Sequence, residues 1–176
     1  MPRRDVVFSP GGFYHIFNRG AHRMRIFYDA GDYLRLLKYI KKYAQRYQIT
    51  IIAYCLLPNH YHFFNAYAQY FNFRREHTGS LFEGRFKHRV ITDDSYLLNL
   101  IRYIHANPVL HGLIDDPGQW EYSNYLEWVD ERKGALVDRA FINDHFDSPA
   151  AYRAFVLDYL RDRKLPQPLA EYLDSL

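Results

Sequence analysis

The chain has 176 residues, 48% hydrophobic and 24% charged, which is enough to bury one core and too apolar for a disordered protein. Its one cysteine, Cys55, excludes a disulfide framework and reads as a buried thiol in a reducing compartment. No run reaches the length of a membrane span, and Met1-Pro2-Arg3-Arg4 lacks the apolar core of a signal peptide, so the cytoplasm is the expected location.

Two features of the composition stand out. Aromatic residues make up 18% of the chain, with 17 tyrosines and 13 phenylalanines. The net charge is only +3, but residues 1–47 hold ten Lys/Arg against three acids, whereas residues 90–129 hold Arg102 alone against six acids. Basic segments interleaved with rings suit a polyanion partner whose bases can stack; a solvated charged face is the competing explanation.

In chain order, Phe8 to Asn18 reads as a strand after the Pro10-Gly11-Gly12 turn, with Tyr14 and Ile16 on one face and Phe13, His15 and Phe17 on the other. Arg19-Gly20-Ala21-His22-Arg23 is a basic loop, in which Arg19 and Arg23 are candidate contacts to a polyanion. Asp29 or Asp32 can cap a helix running to about Gln48, with Leu36, Leu37, Ile40 and Ala44 facing inward. The β-branched run at 49–57 predicts a buried strand. Pro58-Asn59 breaks its ladder, since proline donates no N–H. The chain resumes as His60-Tyr61-His62-Phe63-Phe64, where alternation puts His60 and His62 on one face. Two imidazoles so placed can hold a divalent metal, although such a pair is more often a solvated surface.

Residues 65–75 are compatible with a helix. In the extended segment 81–91, Arg85, Lys87 and Arg89 share a face suited to backbone phosphates, or else they guard an edge strand. Asp93 or Asp94 caps a second long helix, from Ser95 to about Asn107, stopped by Pro108 and buried through Leu97, Leu100, Ile101 and Ile104. Tyr103 and Asn107 sit four apart and project from one side of its last turn. His15, His88, His105 and His111 read as surface or supporting residues. Short helical patterns follow from Asp138, the clearest at Ala150 to Arg161. Leu165 to Leu176, with Pro166 and Pro168, reads as a docked or frayed tail.

The motifs Tyr14-His15-Ile16-Phe17-Asn18-Arg19-Gly20, Cys55-Leu56-Leu57-Pro58-Asn59-His60-Tyr61-His62, Gly79-Ser80-Leu81-Phe82-Glu83-Gly84-Arg85-Phe86-Lys87 and Tyr103-Ile104-His105-Ala106-Asn107-Pro108-Val109 occur in one order over roughly residues 8 to 126. As an ordered set they resemble the single-tyrosine HUH transposases (His-hydrophobic-His), and most closely the REP-associated tyrosine transposases. The resemblance implies a ferredoxin-like α+β fold, an antiparallel sheet with the HUH strand at its centre and helices packed on it. It implies a transposase-like domain over 1–126 and a helical extension over 127–176, which is expected to add a DNA-binding or autoinhibitory element.

The resemblance also implies roles. His60, His62 and Asn107 would hold Mg²⁺ or Mn²⁺. Tyr103 would attack a single-stranded DNA phosphodiester, leaving a 5′-phosphotyrosine bond and a 3′-hydroxyl. The expected partner is single-stranded or hairpin DNA bound by a monomer or homodimer in the nucleoid. One departure stands out: Phe64 runs directly into Asn65, where the family has further strand residues, a loop and the start of a long helix. The gap reads as a mobile loop missing from the chain rather than a deletion. A hairpin-binding module without cleavage, and an RNA-binding protein using the same surface, are the competing functions.

Overall fold

A computed structural model describes residues 9, 11–61 and 86–174. The predicted helix at 65–75, the residues after Phe64, and the candidate site residues His62 and Arg85 lie outside them. Four strands, β1 (Phe13–Arg19), β2 (Leu56–Leu57), β3 (His60–Tyr61) and β4 (Lys87–Ile91), form an antiparallel sheet in the order β2-β3-β1-β4. The helices are α1 (Ala30–Tyr47), α2 (Asp94–Leu110), α3 (Tyr125–Trp128), α4 (Arg139–His145), α5 (Pro149–Asp162) and α6 (Gln167–Asp174). This is the expected α+β class, and β3, the strand that carries His60, lies inside the sheet.

The alternation of β1 explains the layering. Ile16 packs with Leu56 and Tyr61 against α1, whose Tyr33, Leu36 and Ile40 are buried there with Ile26 and Phe27. Phe13, Leu57 and Ile91 face the other way, toward Leu97, Leu100, Ile101 and Ile104 of α2. Each such aliphatic side chain contributes roughly 1.5–3 kcal/mol when fully buried. The helix ends are set locally. Asp29 accepts the Asp32 N–H at 3.2 Å, Asp93 accepts the Tyr96 N–H at 2.7 Å, and Gln48 closes α1 in the left-handed region.

Two expectations need correction, and a third is decided between its alternatives. The strand at 49–57 pairs as a ladder only at Leu56–Leu57, with an isolated bridge from Cys55 to Ser123. Upstream, side chains take several of its backbone bonds, while the Tyr54 carbonyl accepts the Asn124 main-chain N–H at 3.3 Å. The buried Asn124 accepts the Tyr54 N–H at 2.8 Å and donates to the Ile52 carbonyl at 2.9 Å, which also receives the Trp128 indole N–H at 3.0 Å. Pro108 does not stop α2, which continues to Leu110, because a missing N–H within the last turn costs one bond and the Pro108 ring is buried. The tail is a docked helix, α6, with Pro168 in its first turn, where no intrahelical donor is required.

The histidines also differ from expectation. His105 is completely buried and bonds Asn124 Oδ1 at 2.9 Å and the Tyr152 hydroxyl. His15 is buried and bonds the Tyr172 hydroxyl at 2.8 Å. Burial holds the first near pKa 4; burial and then Arg89 hold the second near 3, so both are neutral. Neither was recognisable as interior, because the packing of α5 and α6 onto α2 and the sheet encloses them. Among the described residues no helix is long and apolar enough to cross a membrane.

Candidate active site

Tyr103 and Asn107 stand one turn apart on α2, and the Asn107 amide donates to the Tyr103 main-chain carbonyl at 2.9 Å. That bond fixes the rotamer and turns Oδ1 the other way. Asn107 is 1% exposed, and its Oδ1 is buried with no hydrogen-bond partner among the described residues. A buried acceptor left unmatched costs about 1–3 kcal/mol, and a ligand at this oxygen would remove that cost.

β3 reaches the same helix at its far end. Gly20 donates to the Asn59 carbonyl at 2.9 Å, and Ile26 and Phe27 donate to the Pro58 carbonyl at 2.7 and 3.1 Å, which clamps the turn before His60. Any side chain at Gly20 would collide with the Met24 carbonyl oxygen, so that loop needs glycine. Tyr61 faces α1, and alternation turns His60 toward α2. There its ring meets the ring of His111, which caps α2, with centroids 5.2 Å apart and planes at 64°. His60 Nδ1 lies 2.8 Å from Asn59 Oδ1. An amide oxygen only accepts, so Nδ1 carries the proton and Nε2 the lone pair, the arrangement found in metal-binding histidines.

Among the described residues no three His, Cys, Asp or Glu side chains gather as a metal site. A cation here would draw on His60 Nε2 and on Asn107 Oδ1. The orphaned amide oxygen and the tautomer of His60 fit that use.

Tyr103 is half-buried. Burial raises its pKa, the neighbouring Asn107 amide opposes the rise, and Asp174 and Cys55 add to it. Its ring lies 6.5 Å from that of Tyr159. Beside it opens a cavity of about 440 Å³, lined also by Arg163, Lys164 and Asp174 from the end of α5, the following loop and α6. The sequence reading missed these two cations, because only the return of α5 along α2 brings them to Tyr103.

The register collects most of the basic candidates. Arg19 pairs with His60, Lys87 with Phe17 and Arg89 with His15, and directly paired residues point to one face. Arg19, Lys87 and Arg89 therefore share the His60 face. Arg89 is engaged there, its guanidinium 4.3 Å from the ring of Tyr172 on α6 and 5.1 Å from that of Tyr96. Lys87 lies 5.7 Å from the ring of Phe17. Arg23 is exposed in the following turn, with φ of 58°.

The resemblance read from the sequence is borne out by comparison. Residues 11–75, from β1 through the HUH strand, match the family model for IS200-like transposases. A Haemophilus influenzae protein that carries the name REP-associated tyrosine transposase is 26% identical over 151 residues, covering 70% of this chain and 84% of that one. The fold is similar to that of a REP-associated tyrosine transposase solved bound to a REP hairpin, with a TM-score of 0.57 and 17% identity over 79% of this chain and 98% of the other.

Proposed function

We propose, from the premise that this chain is a relative of the REP-associated tyrosine transposases, that it cleaves and rejoins single-stranded DNA beside repeat hairpins with Tyr103 as nucleophile. The observation that carries the proposal is the convergence on α2: Tyr103, Asn107 with its orphaned buried oxygen, and His60 brought to the end of the same helix.

The Tyr103 oxygen would attack the scissile phosphorus in line. A Tyr103 O–P bond forms and the P–O3′ bond breaks, so the 3′ oxygen leaves as a hydroxyl once protonated. The phenol proton passes to solvent. Return attack by a 3′-hydroxyl regenerates Tyr103 and rejoins the strand. A divalent cation, Mg²⁺ or Mn²⁺, held by His60, His62 and Asn107 Oδ1, would neutralise the phosphate and favour the phenolate. Asn107 steadies Tyr103 through its amide. Arg163 and Lys164 border the cavity next to Tyr103, and Arg19 and Lys87 lie along the sheet face of His60; both pairs suit backbone phosphates. Exposed rings such as Tyr28 and Tyr47 suit unpaired bases.

One observation favours a second reading, a hairpin-binding protein that does not cleave. Burial and Asp174 both work against the Tyr103 phenolate, which a nucleophile needs. The two readings separate on a denaturing gel. Labelled hairpins with single-stranded flanks are incubated with protein and Mn²⁺ or Mg²⁺. A covalent adduct that requires the cation and is lost in Tyr103→Phe is the expected result. Tight binding across a broad hairpin panel without any adduct would establish the second reading instead.

A further inference from the structure

We propose that His111 is a ligand of the same cation site, donating a second imidazole beside His60; this rests on the metal-dependent reading above. The first support is position. Tyr103, Asn107 and His111 follow one another at four-residue steps along one side of α2, and the His111 N–H holds the Asn107 carbonyl at 2.9 Å. His111 is thus fixed one turn beyond the orphaned Asn107 oxygen, at the end of the helix that His60 meets.

The second support is spacing. With metal–nitrogen bonds of about 2.1 Å, two imidazoles on one cation have ring centres roughly 5 Å apart. His60 and His111 are 5.2 Å apart, with rings inclined at 64° rather than stacked flat. Edge-to-face packing alone also adopts this tilt, so it is the centroid spacing, and not the angle, that fits a shared cation. The third is donor chemistry. One imidazole and one amide oxygen make a poor site, and His111 raises the described donors to three, two of them nitrogens of the kind that binds first-row divalent ions.

His111 is exposed at a helix end, so its substitution should leave the fold intact. The test reads cation binding rather than cleavage. The full chain is titrated with Mn²⁺ while the signal of unbound Mn²⁺ is followed by electron paramagnetic resonance. His111→Phe keeps a ring against His60 but removes the nitrogens, and it should weaken Mn²⁺ binding at least tenfold, about as much as His60→Phe. His111→Glu, which restores a donor, should recover part of the loss. If His111→Phe binds Mn²⁺ as wild type does while His60→Phe does not, His111 is only a packing neighbour and the inference falls. If wild type takes up no Mn²⁺ at all, the metal-dependent reading falls first and takes this one with it. Thermal unfolding of His111→Phe without metal should match wild type, which separates lost ligation from lost structure.

Discussion

Asn107 gives its amide N–H to the main-chain carbonyl of Tyr103, 2.9 Å away, and keeps its own carbonyl oxygen buried and unmatched. A residue whose only task was to end a helix would have no reason to bury an acceptor in this way. On the proposed reading the pair would act as a unit, with the amide N–H holding the Tyr103 backbone and the oxygen available to a ligand.

Asn107→Leu tests that division. Removing an unmatched buried acceptor relieves a penalty, while the amide bond it made is lost, so stability without metal should change by about 1 kcal/mol or less. The rise in melting temperature on adding Mn²⁺ should vanish, because binding to the native state alone is what produces it. A variant that still gains stability from Mn²⁺ would remove Asn107 from the ligand set.

The raised pKa of Tyr103 predicts a pH dependence. Burial, the largest influence, lifts it above the ordinary value of 10, so the phenol stays protonated from pH 7 to 9. The phenolate fraction then climbs about tenfold per pH unit, and the rate of covalent adduct formation should climb with it. A single-turnover rate that levels off near pH 7 would mean the cation or a base has already taken the proton.

Acid should destabilise the protein through its buried histidines. His105 and His15 titrate near 4 and 3 when folded, against 6.5 unfolded. Their folded pKa values are depressed, so protons favour the unfolded chain, and stability is full above about pH 6.5 and falls as pH drops toward 4. Between pH 7 and pH 5 each should cost about 2 kcal/mol, read as a shift in the urea midpoint. His15→Gln, which cannot titrate, should remove about half of that loss.

Arg19 and Arg89, which share a sheet face, should both support hairpin binding. Arg19→Ala should weaken hairpin binding and lower the salt dependence by about one phosphate contact. Arg89 lies against Tyr172 and Tyr96, so Arg89→Ala should also cost about 1 kcal/mol of stability and loosen α6. Salt-series binding on both variants and thermal melts of Arg89→Ala check this, and an Arg89→Ala variant as stable as wild type would contradict the packing role of Arg89.

Much of this molecule was determined by the sequence alone. Capping aspartates before apolar stripes mark α1 and α2, alternation separates His60 from Tyr61 and Ile16 from Phe17, and the four-residue step joins Tyr103 to Asn107. These are properties of neighbours within a few residues, fixed by backbone geometry that every chain obeys. Tertiary structure decided the rest. The run at 49–55 has strand composition, yet its backbone bonds are met by Asn124 and Trp128, some seventy residues on. His105 looks like any helical histidine until α5 brings Tyr152 to it and buries it. His111 has no distinguishing neighbour in sequence, and its place beside His60 exists only because the sheet and the end of α2 meet there. Burial and long-range pairing depend on which surfaces come together, and no local pattern carries that information.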